Sequence, residues 1–560
     1  MKCSVFACRW PFLPKRAYNE LSGRKVASEQ LGEMKMLRTI IRGAVLLSSM
    51  AVVGLAAAQF TSDKVSLYKN YTLAELVTAN GNDCWGYVSP SGREYAIMGC
   101  DNKIAFVDIT IPSAPVYFAS IPHAANLWGS VKVHGYACYG VTETTTGIQV
   151  IDLRNIDNHV VTLVRTINSP QRNHTISVDN VSGFLYTCGS RNGTGTTTAF
   201  NLADPLNPVQ VGAATMTPGY IHESQAVTYT SGPYAGKQIF FGCGASRGLE
   251  IWDFTNKNVP VLLKTVTYPN LAYCHQLWLN ASRTLAYLDD ELDENNVGYN
   301  SQTRVIDVSS LENAHYVGTF NTGRPNIDHN QYVRDGFLFQ ADYRAGLRIF
   351  DTNDNEMNPT QAGWFDTFPQ DDANQFNGAW SCYAFFPSST VIVSDIERGL
   401  FILDVRAAMV RTENVDSFEV TDGSSFSGGL NSLRSSDNNA LQIFPNEITL
   451  RAQVTFNGNA AVRRLRELRF KHETSVARPG IAWSLEFFRF SDATWQPVNS
   501  GSASTLDVTN EASLTTNVGA FVGPVGELRS RLTWDTINDE DPAQDGWLHR
   551  VDLANWTAIP

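Results

Sequence analysis

IAFVDIT, residues 104–110, runs through Ile111, Pro112, Ser113 and Ala114 into PVYFASI, residues 115–121. The first stretch alternates apolar and small residues and stops on an Asp. A Pro-containing turn follows, then a second short strand. The phrase returns as IQVIDLR (148–154), TTAFNLA (197–203), LEIWDFT (249–255), TRVIDVS (303–309), LRIFDTN (347–353) and LFILDVR (400–406). Its marker residues are Asp108, Asp152, Asn201, Asp253, Asp307, Asp351 and Asp404. They lie about 49 residues apart, a period that fits β-propeller blades.

Working outward, each repeat holds two further strands ahead of the marked pair. In the first repeat these are CWGYVSP (84–90) and REYAIMG (93–99). Four short antiparallel strands per repeat make one blade. The seventh repeat lacks a fourth strand, and Lys64–Tyr71 (KVSLYKNY) precedes the first repeat as a strand without partners. It is expected to complete the last blade and close the ring. The repeated Asp has a structural reading: at a strand end, its side chain accepts backbone N–H groups of the following turn.

The expected fold is therefore all-β, with a seven-bladed β-propeller over 62–412. Residues 413–440 are rich in Ser, Gly, Asn and Asp and read as a linker. Alternating strands resume over 441–560, with ITLRAQVTF, SLEFFRF and LRSRLTW, and read as a small C-terminal β-sandwich. Trp483, Trp495, Trp534, Trp547 and Trp556 are expected mainly in its core.

Several phrases resemble the choice-of-anchor B family, built from LVIVD-type repeats. They are WGYVSPSGREYAIMG (85–99), AFVDITIPSAPVYF (105–118), LWGSVKVHGYACYGVTE (127–143), YLDDELDENNVGYNSQTRVIDVS (287–309), NIDHNQYV (326–333), YRAGLRIFD (343–351) and FNGAWS (376–381). The resemblance implies a secreted or surface-displayed propeller whose C-terminal attachment varies. It implies no established reaction.

The start of the first strand in each repeat carries Trp85, Trp128, His174, His222, His275, His329 and Trp380. Ten His in 560 residues would put about 0.1 at seven random positions, against four found. In a propeller this strand is innermost, so these side chains are expected at one mouth of the channel. The loops between second and third strands emerge beside them. They supply Asp289, Asp290 and Glu291 from a run of five acids in six residues, with Glu143, Asp342 and Arg344 from other repeats; Asp328 adjoins His329. Imidazoles suit Zn, and carboxylates suit Ca. A divalent metal, Zn or Ca, is expected on His174, His222, His275, His329, Asp289, Asp290 and Glu291. A ligand is expected on Trp85, Trp128, Trp380, Glu143, Asp328, Asp342 and Arg344. The alternative is that the His and Trp side chains plug the channel and bond to neighbouring backbone.

Composition narrows the function classes. The chain has 560 residues, a net charge of -12 and 11% aromatics. The acidity argues against nucleic acid as a partner. Gly43–Ala58 is a short apolar run after Lys35, Arg38 and Arg42, and it ends in Ala56-Ala57-Ala58, the pattern of a secretory signal. Residues 1–58 are expected to be an N-terminal extension and signal peptide, leaving a secreted or cell-surface chain of net charge -18 without a membrane span. Its seven Cys form no CxxC pair and are expected as buried thiols. P-loop and HExxH motifs are absent. Three readings follow. The first is an exported binding or display module for an extracellular ligand or surface component. The second is a metal-dependent hydrolase using the same His ring. The third is a purely structural cell-envelope protein.

Overall fold

The computed structural model describes residues 60–190, 196–215, 220–353, 355–460, 465–536 and 547–560. The expected signal peptide over 1–58 lies outside the described residues. The fold is all-β and propeller-like. Seven antiparallel sheets follow one another; in the first five each strand pairs with its sequence neighbours, and the sixth and seventh each add one strand from ahead of the first sheet. The first sheet holds Gly81–Val88, Glu94–Cys100, Lys103–Asp108 and Val116–Pro122. The fifth holds Cys274–Leu279, Leu285–Asp290, Gln302–Asp307 and His315–Asn321. First strands of successive sheets touch in chain order, and Ala379–Tyr383 of the seventh touches Gly81–Val88 of the first. Ser66–Tyr71 pairs antiparallel with Gly399–Asp404 as the fourth strand of the seventh sheet, as its sequence pattern suggested. Gly399 makes that pairing possible. Its φ is +88°, and a Cβ there would collide with the Tyr71 carbonyl.

The marker residue does the same work in every sheet. Oδ1 of Asp108, Asp152, Asn201, Asp253, Asp307, Asp351 and Asp404 accepts the N–H of the residue two positions on, at 2.8–3.0 Å. Just before it, the pairing of third and fourth strands shifts register in all seven sheets. Such a bulge bends and twists the outer strand. Between sheets the core is aliphatic and aromatic, with Phe106, Phe200, Phe240, Tyr186 and Tyr287 fully buried. The seven described Cys are free and buried.

Two more sheets follow. One orders Ser425–Ser427, Leu441–Phe444, His549–Ile559, Glu467–Val476 and Val508–Leu514, with Arg411–Asn414 also on His549–Ile559. The other orders Ser417–Asp422, Arg451–Asn459, Glu527–Thr536, Ile481–Arg489 and Thr494–Ser502. Phe456, Phe470, Leu485, Leu532, Trp534 and Trp556 of the two sheets share one core. The stretch 413–440 is thus not a linker. Ser417–Asp422 (SFEVTD) alternates, half-burying Phe418 and Val420, and Leu433 is buried two per cent exposed. Enough apolar side chains recur there to hold it in the sheets despite its polar composition. Ala408 and Met409 are buried in the same core, and Arg411 donates to Asp351 Oδ1 at 2.5 Å, tying this part to the sixth sheet. No helix among the described residues is long and apolar enough to cross a membrane.

Two imidazoles in this core have no hydrogen-bond partner on either nitrogen: His472 against Trp483, and His549 between Trp534 and Trp547. Burial pushes His472 down to about 4 and His549 well below the usual range. An unfolded His takes its proton near 6.5. Below that pH the unfolded chain binds protons that the folded core refuses, so stability falls as pH drops from 6.5 toward 4. Each imidazole removes up to about 1.4 kcal/mol per pH unit in that window. The thermal midpoint of the wild type should therefore fall more between pH 7 and pH 5 than that of a His472→Phe/His549→Phe variant. Carboxyl groups elsewhere cancel in this comparison, and equal falls would refute the account.

Candidate functional site

The ring of sheets brings equivalent positions into contact. His174 and His222 have ring centroids 4.1 Å apart, His222 and His275 4.4 Å, and His275 and His329 4.4 Å. His329 then meets Trp380 at 5.1 Å and Tyr343 at 4.5 Å. The four imidazoles form a continuous arc, each contributed by the next sheet. Trp128, Trp380, Tyr343, Phe376, Ile327 and Ile396 form an apolar cluster at its end.

The arc is oriented by backbone. His275 Nδ1 donates to the carbonyl of His329 at 2.9 Å, and His329 Nδ1 donates to the carbonyl of Trp380. A carbonyl only accepts, so each of these rings carries its proton on Nδ1 and a lone pair on Nε2. His275 Nε2 lies 3.7 Å from Glu291 Oε2, and His329 Nε2 lies 3.7 Å from Glu291 Oε1. These separations are long for hydrogen bonds, and His275 Nε2 is buried without a partner. They approach the edge of about 3.3 Å that a tetrahedral zinc site with bonds near 2.0–2.1 Å would show. One ligand atom from each of His222, His275 and Glu291 lies within 4.8 Å of the other two.

Burial sets the protonation. His222 and His275 are held well below the usual imidazole range, and His329 is pushed down to about 3, chiefly by desolvation. At neutral pH all three are neutral and able to ligate a metal. Desolvation pushes Glu291 up to about 7, and the Tyr343 hydroxyl, donating to Glu291 Oε1 at 2.7 Å, pulls it back. His174 stands at the end of the arc, its Nδ1 2.8 Å from Glu143 Oε1.

Other expected positions move. Trp85 is not at the mouth. The first strand of the first sheet begins early and shifts register between Gly81 and Cys84, so Trp85 sits deeper, against Tyr332 and Tyr383. Asp290 is not free to ligate. Successive strand residues point to opposite faces, and its carboxylate accepts from Tyr273 N–H at 2.6 Å, Ala272 N–H at 2.8 Å and Tyr268 O–H at 2.9 Å. Asp289 accepts from Gln331 in a buried amide network with Gln340. Asp328 and Asp342, each one per cent exposed, lie in the interior instead of lining the opening. Arg344 donates to Asp371 at 2.5 Å and Asn377 at 2.8 Å.

Four residues escaped the sequence reading. Tyr343 lies between Asp342 and Arg344 and has no counterpart in the repeat. Glu223, next to His222, is pushed up to about 8 by desolvation. Asp83 and Lys132 form a buried pair at 2.6 Å, with the ammonium 4.6 Å above the Trp85 ring. A single charge inside a strand gives no periodic signal, whereas the adjacency of Glu223 to a repeated His was a usable one.

No family model matches the chain, and no curated protein does. The resemblance to the choice-of-anchor B family therefore rests on the quoted phrases alone. Among solved structures, one titled "Structure of U3-55K" aligns over 60% of this chain and 98% of its own length, at 8% identity and a TM-score of 0.42.

The Asp83–Lys132 pair makes its own prediction. Asp83 Oδ2 also accepts from Ser130 Oγ at 2.8 Å and Val131 N–H at 3.1 Å, but Lys132 is its paired cation. Lys132→Met should cost about 3–5 kcal/mol in urea denaturation, because it leaves a buried carboxylate without a counter-charge. Adding Asp83→Asn should recover most of that loss. A single variant within about 1 kcal/mol of wild type would show the pair to be idle.

Proposed function

We propose that this chain is an exported seven-bladed β-propeller with a C-terminal β-sandwich, of the choice-of-anchor B type. Its mouth holds a divalent transition metal through His222, His275 and Glu291, and the module binds an extracellular ligand or surface component there. The observation that carries the reading is the grouping of His222, His275 and Glu291, one ligand atom of each within 4.8 Å of the other two, with the Nδ1–H bond of His275 to the His329 carbonyl leaving its Nε2 lone pair facing the carboxylate. Partners that fix ring orientation in this way are the usual support of metal-ligating His. Two neutral imidazoles and one carboxylate suit zinc and leave room for a further ligand. Trp128, Trp380 and Phe376 beside the arc give that ligand an apolar surface. The sequence signal in 1–58 supports export.

A second reading, metal-dependent hydrolysis, is favoured by one feature. Glu223, the residue after His222, is raised to about 8 chiefly by desolvation and feels the charges of Lys132, Asp83 and Glu291, which makes it a candidate acid or base for such a reaction.

The chain stripped with chelator should take up one zinc by calorimetry. His222→Ala/His275→Ala should weaken uptake by at least about tenfold. His174→Ala, whose ring is turned to Glu143, should change it far less. Absence of zinc uptake, or uptake indifferent to the double variant, would remove the metal reading. A screen with ester, lactone and phosphate substrates separates the two functions: turnover lost with chelator and restored by zinc favours the hydrolase, and binding without turnover favours the module.

A further inference from the structure

Two residues past Glu291 the chain gathers a second set of carboxylates that the imidazole arc does not use. Asp293 and Glu294 lie in the single helical turn Asp293–Asn296. Asp328 comes from the segment leading into the sixth sheet. One oxygen from each of the three lies within 4.8 Å of the others. None of the three residues is more than one per cent exposed.

Few donors serve them. Asp293 Oδ2 accepts from Arg304 and, at 2.8 Å, from Gln302 Nε2. Asp293 Oδ1, both oxygens of Glu294 and both oxygens of Asp328 are buried without a hydrogen-bond partner. Both oxygens of Asp342 and the amide oxygen of Asn326 are in the same condition. Asn326 Nδ2 donates to the Asp342 carbonyl at 3.2 Å, which places these two side by side. The charge of Asp342 is felt at Asp328. Two guanidiniums, Arg304 and Arg348, are buried in the same region. Buried polar atoms normally find partners, and a buried carboxylate left without one is costly. Such oxygens stay charged only beside a donor or a cation, and otherwise take up protons.

We propose that Asp293, Glu294 and Asp328 form a binding site for a hard divalent cation, calcium, with Asp342 and Asn326 offering further oxygens. The donor set is all oxygen, in contrast to the imidazole arc, and calcium takes six to eight oxygens in flexible geometry. Magnesium retains several waters and demands near-octahedral geometry, which an enclosed cluster of protein oxygens serves poorly. The site is separate in chemistry from the zinc reading above and does not depend on it.

Calcium chloride titrated into the full chain after chelator treatment tests the proposal, by calorimetry and by thermal midpoint at pH 7.5. One equivalent of calcium should bind and raise the midpoint, and magnesium chloride should do so far less. Asp328→Asn and Glu294→Gln should each weaken calcium binding by at least about tenfold. Both replacements keep shape and relieve repulsion, so the calcium-free midpoints should not fall. Zinc uptake should survive in these variants, and calcium uptake should survive in His222→Ala/His275→Ala. No calcium binding at millimolar concentration would overturn the proposal. So would binding unchanged in both carboxamide variants, or calcium binding lost only in the imidazole variant.

Discussion

One hydrogen bond, made seven times, governs this molecule. At the end of each third strand a side-chain oxygen takes the N–H two residues on, and a register shift sits just before it. The bond ends the strand and starts the turn at the same place in every sheet, and the bulge sets the twist of the outer strand. Seven sheets built alike can then pack first strand to first strand in chain order. Asn201 performs the task without a charge, so the requirement is an acceptor. The carboxylates at the other positions are free to do more: Lys237 pairs with Asp253, Arg406 with Asp404, and Arg411 reaches Asp351 from the C-terminal sheets.

Regularity of the sheets is also what makes the mouth. Four imidazoles more than forty residues apart in sequence touch because each occupies the same place on its own sheet. Burial at this contact keeps His222, His275 and His329 neutral. The same burial raises Glu291 and leaves the Nε2 lone pairs of His275 and His329 facing it. An arrangement of this kind is costly for folding alone, and its orientation by neighbouring carbonyls gives the cost a chemical use.

The fold was legible where information is local and repeated. The marker residues, their turn-forming role, and the completion of the last sheet by Ser66–Tyr71 can all be read from short phrases. The His arc followed from phase within the repeat. What failed depended on single departures from phase. Trp85 was displaced by one register shift, which no composition announces. Asp290 was lost to the metal set because its side chain turns to backbone donors, while Glu291, one residue on, turns to the imidazoles. The stretch 413–440 looked like a linker because its few apolar residues are diluted by Ser, Gly and Asn. Asp83 and Lys132 belong to different sheets, and only their packing relates them.

The strand Ser66–Tyr71 has a temporal consequence. It lies near the start of the described chain, yet its partner Gly399–Asp404 is more than 300 residues later, and Tyr68 donates to Asp404 across 336 positions at 3.0 Å. During synthesis the early strand has to wait until nearly the whole ring has emerged. Throughout that interval Ser66–Tyr71 is without its partner strand, and pairings between distant strands form slowly. Closure is thus the last event in assembling the ring, and a chain emerging start-first completes it only when its earliest and latest strands meet.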